Sequence, residues 1–190
     1  AERLFETNTE VLSFNFEKTD GTAVHEVKFR NTGCMPLEIK SEDSFRYMME
    51  HNLWIACAWN KVICRELFEE GRLRFREKIT SEDIDWCMRL ALSAESFDYI
   101  DDVIVCYRQR ITSISKRVTY QKSKMLLDNI KFCIEMLAGV KSSERETLLK
   151  AYIAYQYGTL LANISVISDK NQQKQLLDKA KEYSRFLSYS

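Results

Sequence analysis

The chain has 190 residues, 45% of them hydrophobic and 29% charged, enough apolar material for one sizeable core or two small ones, which excludes a disordered chain. Lys plus Arg and Asp plus Glu number 28 each, so no bulk field draws the chain to nucleic acid, and no nucleic-acid partner is expected. One proline and five glycines argue for long regular elements, mostly helical, and against a turn-rich sandwich or propeller.

In chain order, Val11-Leu12-Ser13-Phe14-Asn15-Phe16 is rich in β-formers, Thr19-Asp20-Gly21 signals a turn, and Ala23 to Phe29 alternates again, which predicts a hairpin. Ser41 is the expected N-cap of a helix with Phe45, Met48 and Met49 on one face. A short helix follows at about 65–70 and stops at Gly71. Thr80-Ser81-Glu82-Asp83 has the capping-box pattern and opens a helix whose Ile84, Cys87, Met88, Ala91 and Leu92 form an apolar stripe. Residues 97–109 return to strand through Tyr99, Ile100, Val103, Ile104, Val105 and Tyr107. Beyond them every periodic segment is helical. Leu126, Ile130, Cys133 and Leu137 share a face that ends at Gly139, Ser143 with Glu146 caps a long helix through Ile153, Leu160 and Ile164, and a third helix carries Leu176, Leu177, Ala180, Tyr183 and Leu187. The expected organisation is a mixed region over residues 1–117 and a helical region over 118–190, a small antiparallel array standing alone or against the first.

The six cysteines lack any Cys-x-x-Cys pair and sit mostly in apolar company, which reads as reduced and structural. His25 and His51 lie near no pair of cysteines, so no metal site is expected from this chain alone. No apolar run reaches the ~18 residues that would span a bilayer, and Ala1-Glu2-Arg3-Leu4 lacks a signal-peptide layout, so a cytoplasmic location is expected.

Chemistry is concentrated between Trp54 and Ser115. Trp59-Asn60-Lys61 runs into Arg65-Glu66-Leu67-Phe68; Leu73-Arg74-Phe75 precedes Glu82-Asp83-Ile84-Asp85-Trp86; and Tyr107-Arg108-Gln109-Arg110 is followed by Ser113-Ile114-Ser115. The order and spacing of these pieces resemble the second half of bacterial family two glycosyltransferases of the GT-A type, which include capsule and lipopolysaccharide sugar transferases. The resemblance covers roughly residues 5–117. No one piece is specific; their shared order carries the likeness. It implies an α/β enzyme, reduced in this stretch to an α+β set of a few strands followed by a helical extension. It also implies inverting transfer of a sugar from a nucleotide-sugar donor to a glycan or lipid-linked acceptor in polysaccharide biosynthesis, in the cytoplasm or at the inner face of the membrane.

Carried over residue by residue, the resemblance makes Asp83 the general base, with Glu82 beside it; a base must lie within hydrogen-bond reach of the proton it removes. The competing account of Glu82, Asp83 and Asp85 is that any helix start favours acids, because its amides are unpaired and its dipole is positive there. Trp86, one turn beyond Asp83, either stacks on a sugar ring or packs its helix against the sheet. Trp59 and Lys61 match the family's acceptor-side segment, although a tryptophan among Ile55, Ala56, Cys57, Ala58 and Val62 also suits a core. Arg108 and Arg110 end a strand where a basic group reaches a leaving diphosphate; a solvated strand end is the alternative.

The family's N-terminal half, a set of βαβ units that holds the nucleotide and ends in an Asp-x-Asp metal site, has no counterpart here. Two or three such units take roughly 60–90 residues, and only Ala1 to Asn8 precede the first strand. The expectation is a truncated relative whose parent transfers sugar with a divalent cation, manganese or magnesium, and which alone binds no cation and is inactive. An exposed strand edge then favours a homodimer. The competing class is an interaction module that docks a partner through the tyrosine-rich tail, from Tyr152, Tyr155 and Tyr157 to Tyr183 and Tyr189. Peripheral membrane association through Lys170, Lys174, Lys179, Lys181 and Arg185 is a third, diluted by Asp169, Asp178 and Glu182.

Overall fold

The structure, a computed structural model, describes residues 2–21, 24–25, 33–69, 73–109 and 117–186. The elements run α1 (Glu2–Thr7), β1 (Val11–Thr19), β2 (Val24–His25), α2 (Ser41–Glu50), β3 (Lys61–Ile63), α3 (Glu66–Glu69), α4 (Glu82–Ser93), β4 (Phe97–Arg108), α5 (Tyr120–Leu137), α6 (Ser143–Ser165) and α7 (Lys170–Ser184). The fold is α+β. Packing divides the chain into two compact units, Ala1–Arg74 with Arg89–Ser113, and Phe75–Met88 with Ile114–Ser190. The first holds the sheet and the second the long helices, and α4 contributes residues to both.

In the sheet unit β1 is central. It pairs in parallel with β4 along one edge, and antiparallel with β3 and β2 along the other. The expected hairpin is present where described, with Lys18 opposite His25 and Thr19 opposite Val24; its remainder, residues 26–29, lies outside the described residues. Residues 11–16 of β1 are all buried, as a strand covered on both faces requires. Two of them are polar, and Asn15 is satisfied by the irregularity in the β1·β4 ladder, which shifts register on either side of it. Its Nδ2 donates to Asp101 Oδ1 at 3.0 Å, and its Oδ1 accepts from Phe16 N at 2.9 Å. A buried amide in a central strand is thereby paired.

Helix α2 starts one residue earlier than the sequence suggests. Lys40 is the N-cap and its side chain makes no capping bond, so Ser41 belongs to the helix. The serine with a structural role is Ser44, whose Oγ donates to Ser41 O and accepts from Phe97 N at 3.0 Å, tying α2 to the start of β4. Phe45, Trp54 and Phe97 then form an aromatic core with ring centroids 4.9–5.5 Å apart. Beside it, Arg3 of α1 reaches a carboxylate 95 positions away. Its Nε and Nη2 donate to the two oxygens of Asp98 at 2.6 and 2.8 Å, and Nη2 also donates to Met35 O. Asp98 is 1% exposed.

In the helical unit α5, α6 and α7 each pack against the other two. Leu126, Ile130, Cys133 and Leu137 are buried as their spacing predicts, as are Ile153, Leu160 and Ile164 of α6 and Leu176 and Ala180 of α7. The N-caps are Thr119, Ser142 and Asp169. Ser142 therefore replaces the expected Ser143, its side chain accepting from Arg145 N. Gln173 of α7 donates to Ile164 O and Ser165 O, satisfying carbonyls at the end of α6.

Replacing Arg3 leaves a buried carboxylate without its cation. Arg3→Met should cost about 3 kcal/mol in the unfolding free energy of the sheet unit, and Arg3→Met with Asp98→Asn should recover most of it. Urea titrations of both variants check this; equal losses would show that the pair is not what holds α1.

Candidate functional site

The acidic segment lies in the helical unit, and its three acids occupy different environments. Glu82, Asp83 and Asp85 fall in the first turn of α4. Glu82 and Asp83 are half-buried, whereas Asp85 has no exposed surface. Asp85 is paired with Arg76, Nε to Oδ2 at 3.1 Å and Nη2 to Oδ1 at 3.2 Å. The guanidinium lies over the Phe132 ring at 4.3 Å, and Nη2 also donates to Asn129 Oδ1. Asn129 in turn donates through Nδ2 to Thr80 O and Ser81 O, both at 3.0 Å. Thus one side chain of α5 grips the two carbonyls immediately before the helix.

Those carbonyls belong to a turn of unusual backbone. Ser81 has φ 61° and Lys78 φ 60°, a left-handed conformation that side chains other than glycine rarely adopt. Thr80 Oγ1 donates to Met125 Sδ at 3.4 Å, and Ile84 N donates to Ser81 O at 3.1 Å. The start of α4 is held from α5, and from α6 as well, where the buried Tyr152 hydroxyl donates to Ile84 O at 2.9 Å. Burial pushes the Tyr152 hydroxyl well above the ordinary tyrosine range, reinforced by Cys87, Cys133, Asp83 and Asp85.

Trp86 shares this unit. Its indole is 2% exposed and stacks on Phe75, rings 5.2 Å apart and 17° from parallel, so the arrangement observed is packing. The apolar stripe of α4 holds at Ile84, Cys87, Met88 and Ala91, while Leu92 is exposed.

In the sheet unit Trp59 is 37% exposed, not in the core, while Trp54 takes the buried position. Trp59 stacks on Tyr107 at 5.2 Å, nearly parallel at 4°, and meets Phe16 edge-on at 4.6 Å. Arg108, one residue on, is exposed, with its guanidinium over the Gly21 turn, where φ is 97° and an added Cβ would approach Nε to 3.1 Å. Arg110 lies outside the described residues, as do Ser113 and Ser115. Lys61 is turned inward. Its ammonium donates to Ile55 O at 3.0 Å, Cys57 O at 2.7 Å and Asn60 Oδ1 at 2.8 Å, and lies 4.8 Å from the centre of the Trp54 ring. Three acceptors and a ring face make it the organiser of the 55–60 loop.

The sequence-derived residues therefore separate by unit, Glu82, Asp83 and Trp86 in one and Trp59, Lys61 and Arg108 in the other. Sequence reasoning missed Arg76 and Asn129, and it placed Tyr152 on a docking tail, whereas its side chain is buried against Ile84 O. Nothing local marks them, since their partners lie 9, 53 and 68 positions away. For a divalent cation the fit is poor: Asp83-Ile84-Asp85 spells Asp-x-Asp, but Asp85 is committed to Arg76, and no group of three His, Cys, Asp or Glu among the described residues could hold a metal. All six cysteines are free; Cys64 donates its thiol to Glu66, which holds the thiol's pKa up and leaves no poised thiolate there. Among the described residues no helix is long and apolar enough to cross a membrane.

No family model matches the chain, and no curated protein matches it. Among solved structures, the crystal structure of S. aureus TarS residues 1–349 in complex with UDP-GlcNAc is similar over 98% of this chain and 62% of its own, at 12% identity and a TM-score of 0.48. The crystal structure of S. aureus TarS 1–349 gives 98%, 61%, 12% and 0.49. The chain spans about three fifths of the length of the TarS chains it matches.

Two outcomes follow from the buried polar groups. Lys61→Met should cost about 2–3 kcal/mol, because it strands the Ile55 and Cys57 carbonyls, and should change the near-ultraviolet signal of Trp54; an unchanged denaturation midpoint would mean water replaces the ammonium. For Tyr152 the folded pKa lies above the unfolded value near 10, so its stabilisation is full below about pH 10 and is lost as pH rises through the folded value. Tyr152→Phe should flatten the alkaline fall of the helical unit's stability, read from urea midpoints at pH 8 and pH 10.5.

Proposed function

We propose that this chain is the acceptor-side half of an inverting glycosyltransferase of the GT-A type, family two, in which Asp83 is the general base. The observation that carries the reading is the sorting of the three acids at the start of α4. Asp85 is fully buried against Arg76, whereas Asp83 is half-buried on a helix start clamped through Thr80 O and Ser81 O. A general base needs this combination, a carboxylate with fixed direction that is still reachable from solvent. The ordered sequence pieces from Trp59 to Gln109 support the same assignment.

In the reaction, the acceptor hydroxyl gives its proton to the Asp83 carboxylate while its oxygen bonds the anomeric carbon. The bond from that carbon to the diphosphate oxygen breaks on the opposite face, and the nucleotide leaves with the electron pair, so the configuration inverts. Glu82 adds negative charge beside the base. Taken by itself, the sheet unit offers an aromatic surface at Trp59 and Tyr107 suited to a sugar ring, and at Arg108 an exposed cation suited to a phosphate. Lys61 and Trp86, engaged internally, take no part. The donor is a nucleotide sugar and the acceptor a glycan or lipid-linked glycan. The described residues offer no set of three ligands for a cation.

The test is turnover by the chain joined to whatever its gene encodes upstream. UDP should bind by calorimetry in the presence of manganese, and Asp83→Asn should bind it equally while sugar transfer falls roughly 10²–10⁴-fold at an unchanged melting temperature. Full turnover by Asp83→Asn would remove the base assignment; no binding of UDP by the longer polypeptide would remove the UDP-dependent form of the reading.

A further inference from the structure

The helical tail supplies the side chain that aims the acid. We propose that Asn129 of α5 is a positioning residue for Asp83, an inference that rests on the reading of Asp83 as a base. Asn129 is 1% exposed and uses its whole amide. Nδ2 donates to Thr80 O and Ser81 O, and Oδ1 accepts from Arg76, itself paired with Asp85. Two of these bonds end on the turn before α4, and the third ends on the arginine that holds Asp85 in its first turn. The action on Asp83 is indirect: Asn129 fixes the backbone from which the Asp83 side chain departs.

The backbone at Ser81 shows why a clamp is needed. With φ at 61°, Ser81 occupies a conformation that its Cβ disfavours, so an unclamped turn would relax toward the right-handed or extended region. Relaxation there would rotate the first residues of α4. In the left-handed arrangement observed, the carbonyls of Thr80 and Ser81 both point to one amide, and that amide is oriented in turn by the Arg76 donor on its other side. A simple core role would not require an amide committed on both sides, with two bonds to the turn and one from the arginine that holds Asp85. The tail from Tyr120 onward thus takes part in the site as the element that fixes the direction of its acid.

Amide hydrogen exchange on the intact 190-residue chain reads this without reference to turnover. Asn129→Leu keeps the branched outline of the side chain and removes all three bonds. Its amides at residues 82–86 should exchange about tenfold faster than in Leu137→Ala, a variant of the same helix that lowers global stability without touching the turn. Adding Ser81→Gly to Asn129→Leu should restore most of the protection, because glycine adopts φ near 61° without the steric cost that serine bears there. Equal exchange in the Asn129 and Leu137 variants at matched global stability would overturn the proposal, as would failure of Ser81→Gly to restore protection. In the turnover assay Asn129→Leu should lower kcat with little change in the donor KM; an unchanged kcat beside accelerated exchange would also overturn it. If Asp83→Asn proves harmless while the exchange pattern holds, it is the base assignment that fails and the clamp that stands.

Discussion

Asp85 has no exposed surface, and a carboxylate in that position is tolerable only with a cation beside it. Arg76 supplies the cation, and the geometry of the rest of the helical unit follows from accommodating the guanidinium. One face lies on Phe132, Nη2 donates to both Asn129 and Asp85, and Nε lies beside the other Asp85 oxygen. Because Phe132 and Asn129 belong to α5 and Asp85 to α4, the ion pair fixes the relation of two helices within the unit, while Tyr152 brings in α6 through Ile84 O. A pair of apolar side chains would fill the same space with less desolvation, so the pair contributes direction more than stability.

The sheet unit solves a related problem with the same two residue types. Asp98 begins a long strand whose parallel neighbour, β1, is buried along its first six residues, and Arg3 answers it from α1. The irregularity in the ladder accommodates Asn15 in a similar way, through Asp101. Lys61 closes the 55–60 loop around its ammonium by the same logic, with carbonyl groups replacing carboxylates. In each case a polar group inside the unit is matched by a partner of defined geometry, and a lost partner leaves the other group buried and unsatisfied.

Much of this is legible in the sequence where the signal is periodic. The faces of α5, α6 and α7, the β1–β2 hairpin start and the strand at residues 97–108 follow from spacing and turn residues alone. Local chemistry is legible only to within a residue or so: Lys40 displaces Ser41 as N-cap, and Ser142 displaces Ser143. What spacing cannot convey is which of two similar residues faces outward. Trp54, Trp59 and Trp86 all sit in apolar surroundings, yet Trp59 is the one that reaches the surface, because Phe16 and Tyr107 support it from below and beside. Arg76 and Asn129 were invisible for a different reason. Their meaning depends on a contact across 53 positions, and an arginine in Arg74-Phe75-Arg76 or an asparagine in a polar turn of α5 carries no local mark of it.

The acid-rich opening of α4 can now be weighed against simple helix chemistry. A helix start favours acids because its free amides and dipole are positive, and that preference alone explains Glu82 and Asp83 as well as any function does. It does not explain Asp85, whose charge is balanced by Arg76 and whose burial makes it a costly way to satisfy a dipole. What a buried Asp85 does is set the rotation of the helix about its axis. Successive residues turn by about 100°, so Asp83 lies about 200° from Asp85, and fixing one inward directs the other away from the interior. The clamp on Thr80 and Ser81 then removes the remaining freedom at the helix end, where fraying would otherwise blur that direction. Both devices act on the same quantity, the direction in which the first turn of α4 presents its side chains, and helix propensity alone calls for neither.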